Sequence, residues 1–196
     1  MATAVDSLGH DTPGVTHSFE IDNVGAGTIS GVVWKGPIAN ATVNVYQYDG
    51  HTRGPLLGTG TTDANGAYTN VALGQGYNGP LLIEAGLTGT YTEEASPAQV
   101  SLDIDRVLRT VVPHYQDGTG IGPVVVSPLT TFAYSLFSWR MDHATAQDTV
   151  ESLWAVAVGA MQAQFAVVDI EHVPPAPPNL PTSTLSSSAR YALVLT

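Results

Sequence analysis

Histidine, carboxylate, lysine, serine and tyrosine side chains are the groups in this chain with the chemistry to bind or react. The six histidines, His10, His17, His51, His114, His143 and His172, are dispersed. None forms a His-Glu-x-x-His pair or another close metal spacing, so they read as solvated loop residues. The carboxylates Glu84, Glu93, Glu94, Asp103 and Asp105 crowd into one short stretch. Calcium takes six to eight oxygens from carboxylates and carbonyls on loops, which makes Glu93, Glu94, Asp103 and Asp105 the candidate calcium ligands. Their spacing is not that of a helix–loop–helix calcium loop. Asp63-Ala64-Asn65-Gly66 offers only two side-chain oxygens and reads as a tight turn. No serine sits in a Gly-x-Ser-x-Gly elbow. No Gly-x-Gly-x-x-Gly or phosphate-binding loop opens a helix. The expectation is therefore no catalysis and no cofactor beyond calcium, with a hydrolase of dispersed site residues the least favoured reading.

Five tyrosines, Tyr46, Tyr48, Tyr68, Tyr77 and Tyr91, supply aromatic faces on which a sugar can stack. They are spread over several strands and turns. Core or edge packing is the plainer reading, and a glycan platform at Tyr46 or Tyr48 the sharper one.

The 196 residues carry a net charge of −11 and only six lysines and arginines, which are not clustered. Phosphate backbones need grouped cations, so nucleic acid is not an expected partner. An anionic membrane surface is disfavoured for the same reason. Hydrophobic residues make up 43% of the chain, enough for a core, and there are no cysteines for disulfides or thiolate metal sites. No apolar run approaches the roughly 18 residues of a transmembrane helix. Met1-Ala2-Thr3-Ala4-Val5 lacks the basic and apolar regions of a signal peptide.

These side chains must be positioned by a β-rich scaffold. Residues 1–27 read as a flexible lead-in, or as a donor strand around His17-Ser18-Phe19-Glu20-Ile21. From residue 28, β-branched runs alternate with Gly, Pro, Asn and Asp punctuation at roughly 8–12-residue spacing, the pattern of a small antiparallel sandwich. Strands are expected at 28–34, 41–48, 56–62, 67–73, 80–85, 88–92, 99–102 and 106–115. In the second, Ala41, Val43 and Val45 share one face, and Thr42, Asn44 and Tyr46 the other. Residues 49–55 read as a loop, and 118–126 as a linker or final strand.

The period then changes. Ser127-Pro128 is a helix start, with Ser as N-cap and Pro at the first helical position. Leu129, Phe132, Ala133 and Leu136 fall on one face. Thr145 and Asp148 resemble a capping box. The second helix places Val150, Leu153, Trp154, Ala157, Ala160 and Met161 on one stripe and runs to about residue 166. An α-hairpin results. Five prolines within 173–181 make an extended spacer. A third apolar helix opens near residue 187, and this tail is expected to dock on the first two helices or on a partner. The domains are thus 1–27, 28–115, 116–172 and 173–196.

Gly31-Val32-Val33, Lys35-Gly36-Pro37, Ala41-Thr42-Val43-Asn44-Val45-Tyr46, Gly58-Thr59 and Thr62-Asp63-Ala64-Asn65-Gly66-Ala67-Tyr68 together resemble the carboxypeptidase regulatory-like and transthyretin-like (prealbumin-like) sandwich domains of bacterial exported surface proteins. The likeness covers about residues 28–112. Val125-Val126-Ser127-Pro128-Leu129-Thr130-Thr131-Phe132-Ala133 resembles a helical segment that follows such domains in predicted lipoproteins. The resemblance implies a mainly β fold with a C-terminal α-hairpin, and an extracellular or cell-surface accessory module without catalytic residues. Some related sandwiches carry an intramolecular amide bond from a strand lysine. Here that implies Lys35 as the amine, Glu84 as the helping acid, and Asp103 or Asp105 as the acceptor.

The function expected from all of this is a structural or adhesive module of an exported bacterial surface protein. Its partners would be copies of itself, other surface proteins or glycan, and it could build fibres by strand addition or helix docking. The alternative is a monomeric carbohydrate- or ligand-binding accessory domain.

Overall fold

A computed structural model describes residues 25–86, 88–92, 98–102 and 107–175, with Tyr191 and Val194. The order is β1 (Thr28–Val33), β2 (Thr42–Tyr48), β3 (Arg53–Thr61), β4 (Ala67–Ala72), β5 (Gly79–Ala85), β6 (Thr90–Thr92), β7 (Gln99–Ser101), β8 (Leu108–Tyr115), β9 (Gly120–Val126), α1 (Pro128–Met141) and α2 (Val150–Phe165). This is a β-sandwich followed by an α-hairpin, as the strand punctuation and the change of period predict. One sheet runs β4-β1-β9 and the other β3-β2-β5-β8, with β6 and β7 a separate small hairpin. The pairings are antiparallel except β1 with β9, which is parallel. The stretch 118–126 therefore supplies a final strand, Gly120–Val126, and not a linker. Beyond β8 the chain crosses to the opposite sheet, and parallel pairing follows.

Alternation decides what each sheet buries. Val43, Val45, Leu81, Ile83 and Ala85 face Ile29, Val33, Val71 and Val124 across the interior. Tyr68 joins them, its hydroxyl donating to the Val124 carbonyl at 3.0 Å. The close approach there requires Gly31, because a Cβ would lie 1.9 Å from the Val124 oxygen. The Asp63–Ala67 turn is built as its residues predict: the Asp63 carboxylate accepts the Asn65 and Ala67 amides, and Gly66 takes φ +77°.

A second core lies on the outer face of the β3-β2-β5-β8 sheet. Tyr48, Leu82, Val111 and Val125 meet Leu129, Ala133, Phe137, Leu153, Trp154 and Ala157 from the two helices. Phe137 and Trp154 make an edge-to-face pair at 5.7 Å. The helices therefore pack on their own sandwich. Ser127 caps α1 as its sequence predicts, and Thr130 completes a capping box. For α2 the cap lies later than expected. Thr149 with Ser152 forms the capping box, while Thr145 and Asp148 close the preceding turn. Both pairs have the required three-residue spacing, and the later one adjoins the apolar periodicity.

Two further differences are informative. β3 begins at Arg53, inside the expected 49–55 loop, because Arg53 and Leu56 pair with Tyr48 and Tyr46 across a register shift. Phe132 is not on the buried stripe of α1. It is 54% exposed, and Phe137 and Thr130 take the inward positions beside Leu129 and Ala133.

Tyr191 and Val194 of the C-terminal tail both pack against the second core. Tyr191 is fully buried in the second core. Its hydroxyl lies 2.5 Å from Ser127 Oγ and donates to the Ile170 carbonyl at 3.1 Å. Tyr191 thus docks on its own chain, beside the start of α1. The lead-in 1–24 and most of the Pro-rich spacer lie outside the described residues.

Candidate functional site

The four-stranded sheet carries a row of polar side chains across its outer face, beside the area covered by α1. Backbone register places Thr59 of β3 opposite Asn44 of β2, Asn44 opposite Glu84 of β5, and Glu84 opposite Arg109 of β8. Strand alternation puts these residues on the side away from the sandwich interior, with Tyr46 and Leu82 in the next row. Thr59 donates its hydroxyl to Asn44 Oδ1 at 2.7 Å.

Glu84 is the centre of the row and is 7% exposed. One carboxylate oxygen accepts from Arg53 Nη1 and the other from Arg109 Nε, each at 2.8 Å. The Arg53 guanidinium lies over the Tyr46 ring, 4.7 Å from its centroid, and that of Arg109 lies 5.6 Å from Tyr134 of α1. The hydrogen bond to Glu84 and its charge raise the Arg53 pKa above the ordinary arginine value. The Arg109 amide donates to Thr131 Oγ1, tying β8 to the first turn of α1. The result is two fixed guanidinium groups flanking one carboxylate, backed by two tyrosine rings.

This arrangement bears on the Lys35–Glu84 pairing implied by the resemblance. Both Glu84 oxygens are held by arginines. Lys35 Nζ donates to the Tyr91 hydroxyl at 2.9 Å and lies over the Tyr91 ring. The structure therefore does not bring Lys35 and Glu84 together. Asp103 and Asp105 lie outside the described residues, as do Glu93 and Glu94, so the calcium candidates fall there too. Among the described residues no three His, Cys, Asp or Glu side chains converge as a metal site would require.

The remaining tyrosines are packing residues. Tyr48 is buried, with its hydroxyl on the Gly50 carbonyl at 2.7 Å and its pKa pushed up by burial. Tyr77 donates to the Pro80 carbonyl at 2.7 Å, and Tyr91 is buried beneath Lys35. Of the five, Tyr46, in the adjoining row, is the one whose ring lies beneath an arginine of the cluster. Arg53 and Arg109 are the members that sequence reading misses. Their signal is the cross-strand register with Glu84 and Tyr48, which spacing along the chain does not reveal.

His51 Nδ1 lies 3.5 Å from Asp142, joining the β2–β3 loop to the end of α1. His172 lies 3.3 Å from Asp169, and His143 Nδ1 lies 2.7 Å from the Trp139 carbonyl. Asp49 accepts the Thr52 and His51 amides, which hold its pKa below the usual carboxylate value. A shallow cavity of about 210 Å³ opens there among Gln47, Tyr48, Asp49, Thr52, Gly54 and Tyr77.

The second surface of interest is the outward side of the hairpin. The thirty residues of α1 and α2 contain two charged side chains, Arg140 and Glu151. Phe132, Trp139 and Val156 are 54%, 58% and 47% exposed. Ser152, Ala155, Gly159 and Ala163 are exposed beside Val156. Solvated helix faces are ordinarily charged, so this is an unusual composition.

The sandwich edges, by contrast, are guarded. β3 carries Pro55 in its length, and β4 bulges at Thr69 and Asn70 opposite Ser30, with Asn70 at φ +51°. The edge of β9 is met by residue 171, whose carbonyl accepts the Val125 amide at 2.7 Å. Compared with protein-family models, with curated proteins and with solved structures, the chain matches none.

Proposed function

We propose that this chain is a non-enzymatic structural or adhesive module of an exported bacterial cell-surface protein, and that it engages further copies of itself through the outward face of the α-hairpin. The observation that carries the reading is that face: uncharged across most of both helices, with Phe132 and Trp139 more than half exposed. Each copy carries −11, and the repulsion between copies is smallest where neither surface is charged. Bulky side chains on α1 and small ones on α2 give the two-fold contact the self-complementarity it needs. The guarded edges of β3, β4 and β9 favour helix docking over strand addition.

The motif resemblance to transthyretin-like and carboxypeptidase regulatory-like domains supports the surface-protein reading. The non-enzymatic part is supported by how reactive side chains are used. Ser127 Oγ meets Tyr191, the Lys35 amine meets Tyr91, and Glu84 meets two arginines. Light scattering over a concentration series, with electron microscopy of the same sample, tests the reading. A defined oligomer or regular polymer is expected. A monomer at every concentration would overturn self-association and favour the monomeric ligand-binding alternative.

A further inference from the structure

The outer sheet face holds a second feature, independent of the hairpin face. Two of the six cationic side chains of a strongly acidic chain converge on one carboxylate. Glu84 spends both oxygens on one N–H from each arginine, so the pair keeps a net positive charge. Each guanidinium has five N–H donors. Among the described residues, Arg53 Nε and Nη2 and both Arg109 Nη atoms make no other hydrogen bond. The Arg53 and Arg109 side chains remain 53% and 36% exposed. Tyr46 and Tyr134 back the two guanidinium planes, which lowers the entropy cost of holding them in place.

We propose that this cluster binds a carboxylate-bearing sugar. The remaining guanidinium N–H groups match the two oxygens of a sugar carboxylate, a geometry that an ammonium group does not offer. Beside them Thr59, in the same cross-strand row, is exposed; its proton is spent on Asn44, and its hydroxyl oxygen remains to accept from a ring hydroxyl. Glu84 keeps the site from becoming a general polyanion patch, since one bound carboxylate neutralises it. The acidic charge elsewhere on the chain is screened beyond a Debye length of about 8 Å at physiological salt. The site does not require self-association and is present in each copy.

The test is titration calorimetry with trigalacturonate, its methyl ester and inorganic phosphate, on the full chain and on Arg53→Gln, Arg109→Gln and Arg53→Lys. Binding of trigalacturonate is expected, with little or none of the ester. Loss of either fork should weaken it at least about tenfold, and Arg53→Lys should fail to restore it. Tyr46→Phe, which keeps the ring beneath Arg53, gives a folded variant should an arginine change unfold the chain, and it should bind almost as the wild type does. Lack of binding by the folded wild-type chain, equal binding of acid and ester, or phosphate binding as tight as trigalacturonate would each overturn the proposal. In the first of these cases the cluster is a cross-sheet clamp only. Trp139→Ser should bind trigalacturonate unchanged, which separates this site from the hairpin reading.

Discussion

The two sides of the α-hairpin carry similar residues and have opposite fates. Inward, Leu129, Ala133, Phe137, Leu153, Trp154 and Ala157 meet Tyr48, Leu82 and Val111 of the sheet and are buried. Outward, Phe132, Trp139 and Val156 stand about half exposed with two charged residues in both helices combined. The inward side is an intramolecular core, tied further by Trp154 Nε1 donating to Glu171 at 2.6 Å and by Tyr191. The outward side has the composition of a core without its partner. Apolar periodicity therefore reports that a helix face wants burial, and leaves open whether the same chain supplies it.

Substitutions should separate the two sides by stability. The largest effect belongs inward: Trp154→Ala removes a side chain that is 1% exposed and should cost about 3–5 kcal/mol in chemical denaturation. Tyr191→Phe keeps the ring and removes the hydroxyl shared with Ser127 and the Ile170 carbonyl. A loss of about 1–2 kcal/mol is expected, and no loss would mean the tail is not anchored there. Outward, Phe132→Ser and Trp139→Ser should each change monomer stability by no more than about 0.5 kcal/mol, while diminishing self-association.

Glu171 gives the smallest and most specific effect. Burial raises its pKa, and the Trp154 hydrogen bond opposes that rise. The folded state then binds its proton more tightly than the unfolded state. Its contribution to stability is greatest below the unfolded pKa and falls as pH rises through the folded one. Glu171→Gln should therefore gain stability relative to wild type as pH rises from near the unfolded glutamate pKa of about 4.3 through the raised pKa of the folded state. Parallel pH profiles would contradict that assignment.

The sandwich was largely legible in the residues. Strict alternation at Val43 and Val45, the Asp63–Gly66 turn and the Ser127-Pro128 start each encode their structure locally. What was not legible depends on pairing at a distance. Phe132 and Phe137 are five residues apart on one helix, and only the position of the sheet decides which is covered. Arg53 lay in an expected loop, because its register with Tyr48 follows from a shift within the β2–β3 pair. The Arg53–Glu84–Arg109 cluster draws on three strands separated along the chain by tens of residues, and no spacing rule reaches it. Tyr191, in a Ser-rich tail, has no local signal for its place beside Ser127.

The most direct measurement is sedimentation velocity on wild type and Trp139→Ser over the same concentration series, with thermal melts on both. The account predicts association in the wild type, its loss or marked weakening in Trp139→Ser, and matching melting behaviour in dilute solution, where both are monomeric. Association that persists unchanged in Trp139→Ser, or a wild-type chain that stays monomeric throughout, would contradict it.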